Sequence, residues 1–416
     1  MPRLAVEIQG EVAPGFEPVR EAFAENFARR KEVGASLCVL HQGQVVVDLW
    51  GGVTAKKKGQ PWQADTRVIV WSCTKGLTSL AFLMLAARGK ADLDAPIASW
   101  WPEFAQGGKE RVTLRMALNH TSGLLAIDDR ITFADFADPQ RIEQAVLATT
   151  PEWEPGTGQG YGAIAWGVIS GALFRRLAGE SLGTFLQREV LGPLKVEISL
   201  GQALPPEQVA TLYPFGRRET VRYVVPAAMW GGEPERSVFR DVALRPKSPT
   251  GRSLRSNPSM GRAGLARMND RELHTLELPW CGALASARGL ARLYAPLCAD
   301  GSFEGTRLVP AEALKPVHAR QTWREHDSVL HKPIGWSQGF CKEPDNLFCP
   351  NTESFGHAGL GGALGLADPV AGVAIGYVMN RLDYRVRSPR SVSLCHAIYK
   401  SLGTPMDHNP ILEQGA

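Results

Sequence analysis

A serine and a lysine stand three residues apart, Ser72 and Lys75, directly after the apolar run from Val68 to Trp71. If a helix starts at Ser72, residues at this spacing share one face, and Lys75 can reach the serine oxygen. A serine hydroxyl attacks a carbonyl only when a neighbour takes its proton, and burial prepares a lysine for this role because it lowers the pKa of the amine. The spacing therefore predicts a nucleophile beside its base, with a helix-capping serine and a solvated lysine as the open alternative.

Apolar residues recur at helical spacing after Ser72, which predicts a buried helix from Ser72 to Arg88. Hydrophobic patterns predict further elements near both ends of the chain: strands over 35–41, 44–50, 359–367 and 372–380, and helices over 18–31 and 388–402.

These elements favour an α+β fold, in which an antiparallel sheet drawn from both termini is flanked by helices. We expect residues 1–95 and 280–416 to form this α/β domain, and residues 96–279 to form a mainly helical domain inserted into it. Within the insertion, the proline-rich stretch of about 204–262 is long and irregular, which is typical of a lid or a pocket wall.

Composition excludes several classes of protein. The 416 residues are 44% hydrophobic and 21% charged, and the net charge of +4 is too small to indicate a nucleic-acid partner. Residues 217–267 hold eleven Lys or Arg against four acids, which indicates a solvated loop or a surface that attracts anions. No apolar run is long enough to span a membrane, and the N-terminus lacks the apolar core of a signal peptide.

The seven cysteines form no C-x-x-C pair, and their odd number favours reduced thiols in the cytoplasm. A disulfide between Cys341 and Cys349 is left open. His318, His326 and His331 lack the spacing of metal ligands, so we expect no metal. We expect no cofactor either, and the sequence leaves the oligomeric state open.

Four motifs in order resemble the serine β-lactamase and penicillin-binding-protein superfamily, and most of all the family VIII carboxylesterases, which share the class C β-lactamase fold. They are Ser72-x-x-Lys75 after Trp71, Met116 to Leu124 with its His-Thr-Ser-Gly turn, Pro155 to Tyr161, and Gly356-His-Ala-Gly359. The resemblance runs from about residue 18 to residue 402. It implies a β-lactamase-like fold.

The resemblance also implies catalytic roles. Ser72 attacks the carbonyl, Lys75 helps to deprotonate it, and Tyr161 carries the proton to the leaving group and later activates water. A helix is expected to begin near Tyr161, and a phenol beside a lysine ammonium could lose its proton near neutral pH, because opposite charge favours the anion. The amides of Ser72 and Leu360 are expected to form the oxyanion hole, with Gly359 allowing close backbone approach to a ligand.

Two departures from the lactamase pattern bear on the substrate. The third lactamase motif begins with lysine, where this chain has His357, a residue that is mostly neutral near pH 7. The second motif ends in asparagine, where this chain has Ala163. Both changes disfavour penicillins and favour uncharged acyl esters, with weak turnover of β-lactams left open.

Ser337 is a competing candidate for the nucleophile, because Gly335-Trp-Ser337-Gln-Gly339 matches the nucleophile elbow of α/β-hydrolases. That elbow requires a helix after the serine, and a loop-like stretch follows here, so we interpret Ser337 as incidental. His120 is assigned to holding a loop. Three tryptophans suit the wall of an apolar substrate pocket: Trp230, Trp280 and Trp336.

Together these features predict a carboxylesterase that cleaves small to medium acyl esters through a Ser72 acyl-enzyme. Three alternatives stay open: an acyltransferase, a β-lactamase or D-amino peptidase-like amide hydrolase, and a catalytically silent binding scaffold.

Overall fold

The computed structural model describes residues 6–57, 59–216, 219, 234–261 and 263–415. The strands in these residues are β1 (Ile8–Val12), β2 (Gly34–His41), β3 (Gln44–Gly52), β4 (Val68–Ile69), β5 (Ile198–Ser199), β6 (Leu284–Ala285), β7 (Ser302–Phe303), β8 (Thr306–Arg307), β9 (Thr322–Arg324), β10 (Ile334–Ser337), β11 (Phe340–Lys342), β12 (Phe355–Ala358), β13 (Leu364–Asp368) and β14 (Val373–Met379).

The α-helices of the same residues are α1 (Glu17–Arg29), α2 (Thr74–Ala87), α3 (Leu114–Leu118), α4 (Pro139–Ala148), α5 (Ala165–Ala178), α6 (Leu182–Leu186), α7 (Gly192–Leu194), α8 (Pro234–Leu244), α9 (Pro249–Leu254), α10 (Arg271–His274), α11 (Ala287–Tyr294), α12 (Ala311–His318) and α13 (Pro389–Ser401).

Within the described residues, nine strands form one antiparallel sheet in the order β1-β3-β2-β14-β13-β12-β11-β10-β9. The first and last parts of the chain meet at its centre, where β2 pairs with β14 from Ala35 opposite Met379 to His41 opposite Val373. Every residue of β14 is buried, as expected for a strand covered on both faces. The predicted sheet from both termini is therefore confirmed.

Helices cover both faces of the sheet. Successive residues of a strand point to opposite faces. In β14 a side chain on Gly376 would collide with the Ala287 carbonyl of α11, while the neighbouring Tyr377 hydroxyl bonds to Glu32, which follows α1. Helices α1 and α13 pack together. The result is an α+β sandwich of helices, sheet and helices, as the sequence predicts.

Most predicted elements near the chain ends are present, with α13 capped by the Ser388 hydroxyl. Two differences occur. The strand expected over 359–367 starts only at Leu364, because residues 360 and 361 form a turn. The stretch after Ser337, interpreted as a loop, is strand β11. The division into domains near residues 95 and 280 stays a prediction.

Candidate active site

The segment before Ser72 is fixed by a small sheet. Strand β4 pairs with β6, and the Val70 amide donates to the Ala283 carbonyl at 3.0 Å. Trp71 then has φ of 51°, a left-handed conformation that is unusual for a bulky residue. A short 3-10 turn over Trp71–Cys73 leads into α2 at Thr74. Ser72 thus lies at a sharp corner where a strand becomes a buried helix.

The Ser72 hydroxyl bonds to the phenol of Tyr161, with 2.8 Å between Oγ and the phenol oxygen. The Lys75 nitrogen lies 4.9 Å from the centre of the Tyr161 ring. The three side chains named from the sequence are therefore brought together. The alternative of a helix-capping serine does not fit, since no side-chain capping bond occurs at the start of either helical segment.

Lys75 is fully buried and lies on α2. Its Nζ donates to the main-chain carbonyls of Ala163 at 3.0 Å and Trp280 at 3.3 Å, and the Ser72 hydroxyl bonds to Tyr161 instead of to this amine. Burial lowers the pKa of Lys75 to about 7, because the charged form loses its hydration. A neutral amine has two N–H groups and one lone pair, so these two acceptors leave the lone pair able to take a proton.

The protonation state of Tyr161 differs from the one expected from the sequence. Burial raises the pKa of its phenol well above the usual value of a tyrosine, although the bond to Ser72 opposes this. The lowered pKa of Lys75 also removes much of the positive charge that would favour a phenolate near pH 7. The prediction of a phenol deprotonated near neutral pH is therefore wrong for the resting protein. Helix α5 also begins at Ala165, four residues later than expected.

The amides of Ser72 and Leu360 both lie beside the cavity described below, and within the described residues neither N–H donates to a backbone or side-chain acceptor. Leu360 lies in the turn after β12. A methyl group at Gly359 would lie 2.4 Å from the Val70 carbonyl oxygen and 3.3 Å from the Cys73 sulfur. Glycine at 359 thus lets β12 approach the backbone beside Ser72, rather than a ligand directly.

His357 lies at the cavity and is 6% exposed. Its Nδ1 donates to the Ala358 carbonyl at 2.7 Å, which leaves Nε2 as an acceptor without a partner among the described residues. Burial, followed by the charge of Lys75, lowers the pKa of His357 to about 3. The histidine is therefore neutral near pH 7, in line with the expected loss of the lysine anchor.

A cavity of about 280 Å³ opens beside Ser72 and Tyr161. Its described lining is mostly apolar and comes from several segments, including Val238, Phe239, Leu254, Met260, Leu265, Leu330 and Val386. Helices α8 and α9 supply part of it, so the described portion of the segment 204–262 does form a pocket wall. Glu343 and Lys332 add charged groups to the rim, and Glu343 is paired with Arg387.

The three tryptophans proposed as pocket walls differ in outcome. Trp280 lines the cavity. Trp336 is fully buried and its ring stacks on Tyr161, with centroids 5.7 Å apart and planes 8° apart. The prediction that Trp336 contacts substrate is wrong, because the Tyr161 ring covers it. Trp230 lies outside the described residues.

Ser337 ends strand β10, and a turn with positive φ at Gln338 and Gly339 leads directly into β11. Its hydroxyl is buried and donates to the Pro316 carbonyl at 3.0 Å. A hairpin cannot form the strand-to-helix elbow of an α/β-hydrolase. Ser337 is therefore incidental, as interpreted from the sequence.

Three consecutive amides hold the backbone after Gly160. The N–H of Tyr161 donates to Asp327 Oδ1 at 3.1 Å, that of Gly162 to His120 Nδ1 at 3.0 Å, and that of Ala163 to Ser253 Oγ at 2.9 Å. The role of His120 in holding a loop is confirmed. No motif in the sequence indicates Ser253, which lies on the short helix α9, or Asp327, which lies in a loop.

The remaining expectations concern charge, thiols and metals. All seven cysteines are free thiols, so Cys341 and Cys349 are not paired. In the described part of the basic segment, arginines pair with acids, as Arg252 does with Asp128, which fits the solvated-loop interpretation. No three His, Cys, Asp or Glu side chains of the described residues are grouped to hold a metal ion.

No helix among the described residues has the length and apolar character needed to cross a bilayer.

The chain can be compared with known proteins on this basis. Residues 19–391 match the Beta-lactamase family. The esterase/beta-lactamase LipL of Mycobacterium tuberculosis is 30% identical over 374 residues, which cover 90% of this chain and 83% of LipL.

Two solved structures are similar over 95% of this chain and 100% of their own. A penicillin-binding protein homolog from Caulobacter crescentus has a TM-score of 0.79 at 32% identity. A family VIII carboxylesterase has a TM-score of 0.78 at 33% identity.

The fold and the site define a serine hydrolase of the esterase and β-lactamase type. The chain belongs to the Beta-lactamase family. The resemblance to family VIII carboxylesterases and the β-lactamase-like fold are thereby confirmed.

Proposed function

We propose that the protein is a carboxylesterase that cleaves small to medium acyl esters through an acyl-enzyme on Ser72. The observation that carries this proposal is the 2.8 Å bond between Ser72 Oγ and the Tyr161 phenol at the wall of an apolar cavity. Lys75, with a pKa of about 7, supplies a base beside them.

In acylation, Ser72 Oγ forms a bond to the ester carbonyl carbon while its proton passes to the neutral amine of Lys75. The negative charge on the carbonyl oxygen is stabilised by the amides of Ser72 and Leu360. As the C–O bond of the ester breaks, the Tyr161 phenol donates its proton to the departing alkoxide, and the Lys75 ammonium returns a proton to Tyr161. The products are a free alcohol and an acylated Ser72.

Deacylation uses the same groups in reverse. Water forms a bond to the acyl carbon while its proton passes through the Tyr161 phenol to Lys75. The C–O bond to Ser72 then breaks, and the proton held by Lys75 returns to the serine oxygen. A carboxylic acid leaves, and the three side chains regain their starting protonation.

The surroundings support uncharged acyl esters as the substrate class. The cavity lining is mostly apolar, and the neutral His357 offers no cation for the carboxylate of a penicillin. Ala163 has no side-chain amide, and its main chain bonds to Lys75 and Ser253. These features favour esters over β-lactams. The free thiols support the cytoplasm as the location.

The test is hydrolysis of short p-nitrophenyl esters by Ser72→Ala, with Ser337→Ala as the matched control. We expect activity to be lost in the first variant and kept in the second. Intact-mass analysis after exposure to an ester panel and a cephalosporin, followed by peptide mapping, should place the acyl group on Ser72. Activity that survives Ser72→Ala would refute the proposal.

Two further measurements distinguish the alternative functions. Faster product formation with an added alcohol than with water identifies an acyltransferase. Failure of a fluorophosphonate to label Ser72 in the folded protein indicates a binding scaffold.

A further inference from the structure

The phenol of Tyr161 must be placed accurately, because a proton relay works only within hydrogen-bond reach of both partners. The phenol oxygen bonds to Ser72, and the ring lies against Trp336 and His120. Tyr161 lies outside helix α5, so no helical hydrogen bonds fix its backbone. Side chains from distant segments take that role.

Ser253 holds the Tyr161 backbone from one side. This fully buried residue of α9 donates from Oγ to the Tyr161 carbonyl at 2.6 Å and accepts from the Ala163 amide at 2.9 Å. The Ala163 carbonyl in turn accepts from Lys75. One hydroxyl therefore spans the segment that carries the phenol and orients the peptide that binds the amine.

Asp327 holds the same residue from the other side. Its fully buried carboxylate accepts from the amides of Tyr161, Val329 and Leu330 through Oδ1, and from the Gln159 side chain through Oδ2. Leu330 lines the cavity. The carboxylate thus joins Tyr161 to the wall of the substrate cavity. These four donors offset part of the cost of burial, which raises the pKa of Asp327 above its usual value.

We propose that Ser253 and Asp327 are positioning residues that hold Tyr161 in place for proton transfer to the leaving group. This inference rests on the proposed esterase function. Neither side chain is offered as a reacting group. Asp327 accepts the main-chain N–H of Tyr161, and Ser253 donates to its main-chain carbonyl.

The test measures how acylation depends on the leaving group. p-Nitrophenolate leaves with little proton donation, whereas trifluoroethoxide leaves only with strong proton donation. A displaced Tyr161 should therefore slow acylation by the trifluoroethyl ester more than acylation by the p-nitrophenyl ester. Acetates of p-nitrophenol, phenol and trifluoroethanol are compared in single-turnover experiments. Rates are divided by the fraction of Ser72 that a fluorophosphonate labels, which removes the effect of misfolded protein.

We expect Ser253→Ala and Asp327→Asn to slow acylation by the trifluoroethyl ester about 100-fold and by the p-nitrophenyl ester only a few-fold. The control is Ser256→Ala. Ser256 is also a buried serine that accepts a main-chain N–H, from Ile127 at 2.8 Å, but it serves another loop. Its removal should lower the melting temperature without changing the leaving-group dependence.

The outcomes are distinct. Equal leaving-group dependence in wild type, Ser253→Ala and Ser256→Ala, with Ser72 labelled in each, would overturn the inference and leave the esterase proposal intact. Absence of label in the wild type would overturn both. If Asp327→Asn fails to fold, the comparison of Ser253→Ala with Ser256→Ala tests the inference by itself.

Discussion

Lys75 donates a hydrogen bond of 3.0 Å from its side-chain nitrogen to the main-chain carbonyl of Ala163. Ala163 stands where the superfamily pattern has an asparagine. The backbone of this chain therefore supplies an oxygen acceptor for the lysine without a side-chain amide.

The pH dependence of acylation follows from the state of Lys75. Burial lowers its pKa from 10.5 to about 7, and in the proposed mechanism only the neutral amine accepts the Ser72 proton. As the pH rises towards 7, the neutral fraction and kcat/KM should increase about tenfold per pH unit, and both should level off above it. A pH profile with an uncharged ester measures this. Continued increase well beyond pH 7 would contradict the assignment, and Lys75→Arg should be inactive throughout because arginine keeps its proton.

Gly359→Ala should lower both kcat and the melting temperature. The added methyl would lie 2.4 Å from the Val70 carbonyl oxygen, so β12 must move away from Ser72 and take the Leu360 amide with it. Loss of one oxyanion donor costs about 100-fold in kcat. The control is Gly216→Ala, where the nearest atom of the described residues to the new methyl is a Glu219 carboxylate oxygen at 3.6 Å. A fully active Gly359→Ala would argue against Leu360 as a donor.

Two tryptophans should respond differently to replacement by phenylalanine. Trp336 stacks behind Tyr161, so Trp336→Phe should lower kcat about tenfold through a displaced phenol and leave KM nearly unchanged. Trp280 lines the cavity, so Trp280→Phe should change KM and the preferred acyl length. Steady-state kinetics on p-nitrophenyl esters of increasing chain length separate the two effects. A large change in KM for Trp336→Phe would restore its predicted contact with substrate.

Phe239→Ala should shift the preference towards longer acyl chains. Phe239 lies on α8 at the cavity wall, near the ring of Tyr384. Removing its ring enlarges the apolar space, and each added methylene that becomes buried contributes about 1 kcal/mol to binding. The ratio of kcat/KM for octanoate and butyrate esters measures the shift. Leu244→Ala, at an exposed position of the same helix, is the control and should keep the wild-type ratio.

The sequence allowed the candidate reacting groups and the central sheet to be predicted. Ser72 and Lys75 share a local spacing, and the strands of the hairpins near both termini are short, mostly apolar runs beside turn residues. The role of Tyr161 followed from the resemblance of the stretch from Pro155 to Tyr161 to the superfamily motif. The spacing and the apolar runs are local features of the chain, and the resemblance rests on short motifs.

The features that could not be predicted depend on contacts between distant segments of the chain. Ser253 and Asp327 meet Tyr161 only because α9 and the loop before β10 fold onto it, and neither has a local signal. Trp336 was expected at the substrate, but burial behind Tyr161 is a property of packing. The ionisation of the phenol was misjudged for the same reason, since its pKa follows from desolvation.

The pairing of β2 with β14 has a consequence for biosynthesis. Residues 35–41 are made long before their partners at 373–379. Contacts this far apart in sequence close slowly because of the chain entropy that is lost. In the nascent chain, the edge of β2 that pairs with β14 therefore stays unpaired until residues 373–379 have been made. We expect shortening from the C-terminus into β14 to yield aggregated chains instead of a smaller working enzyme.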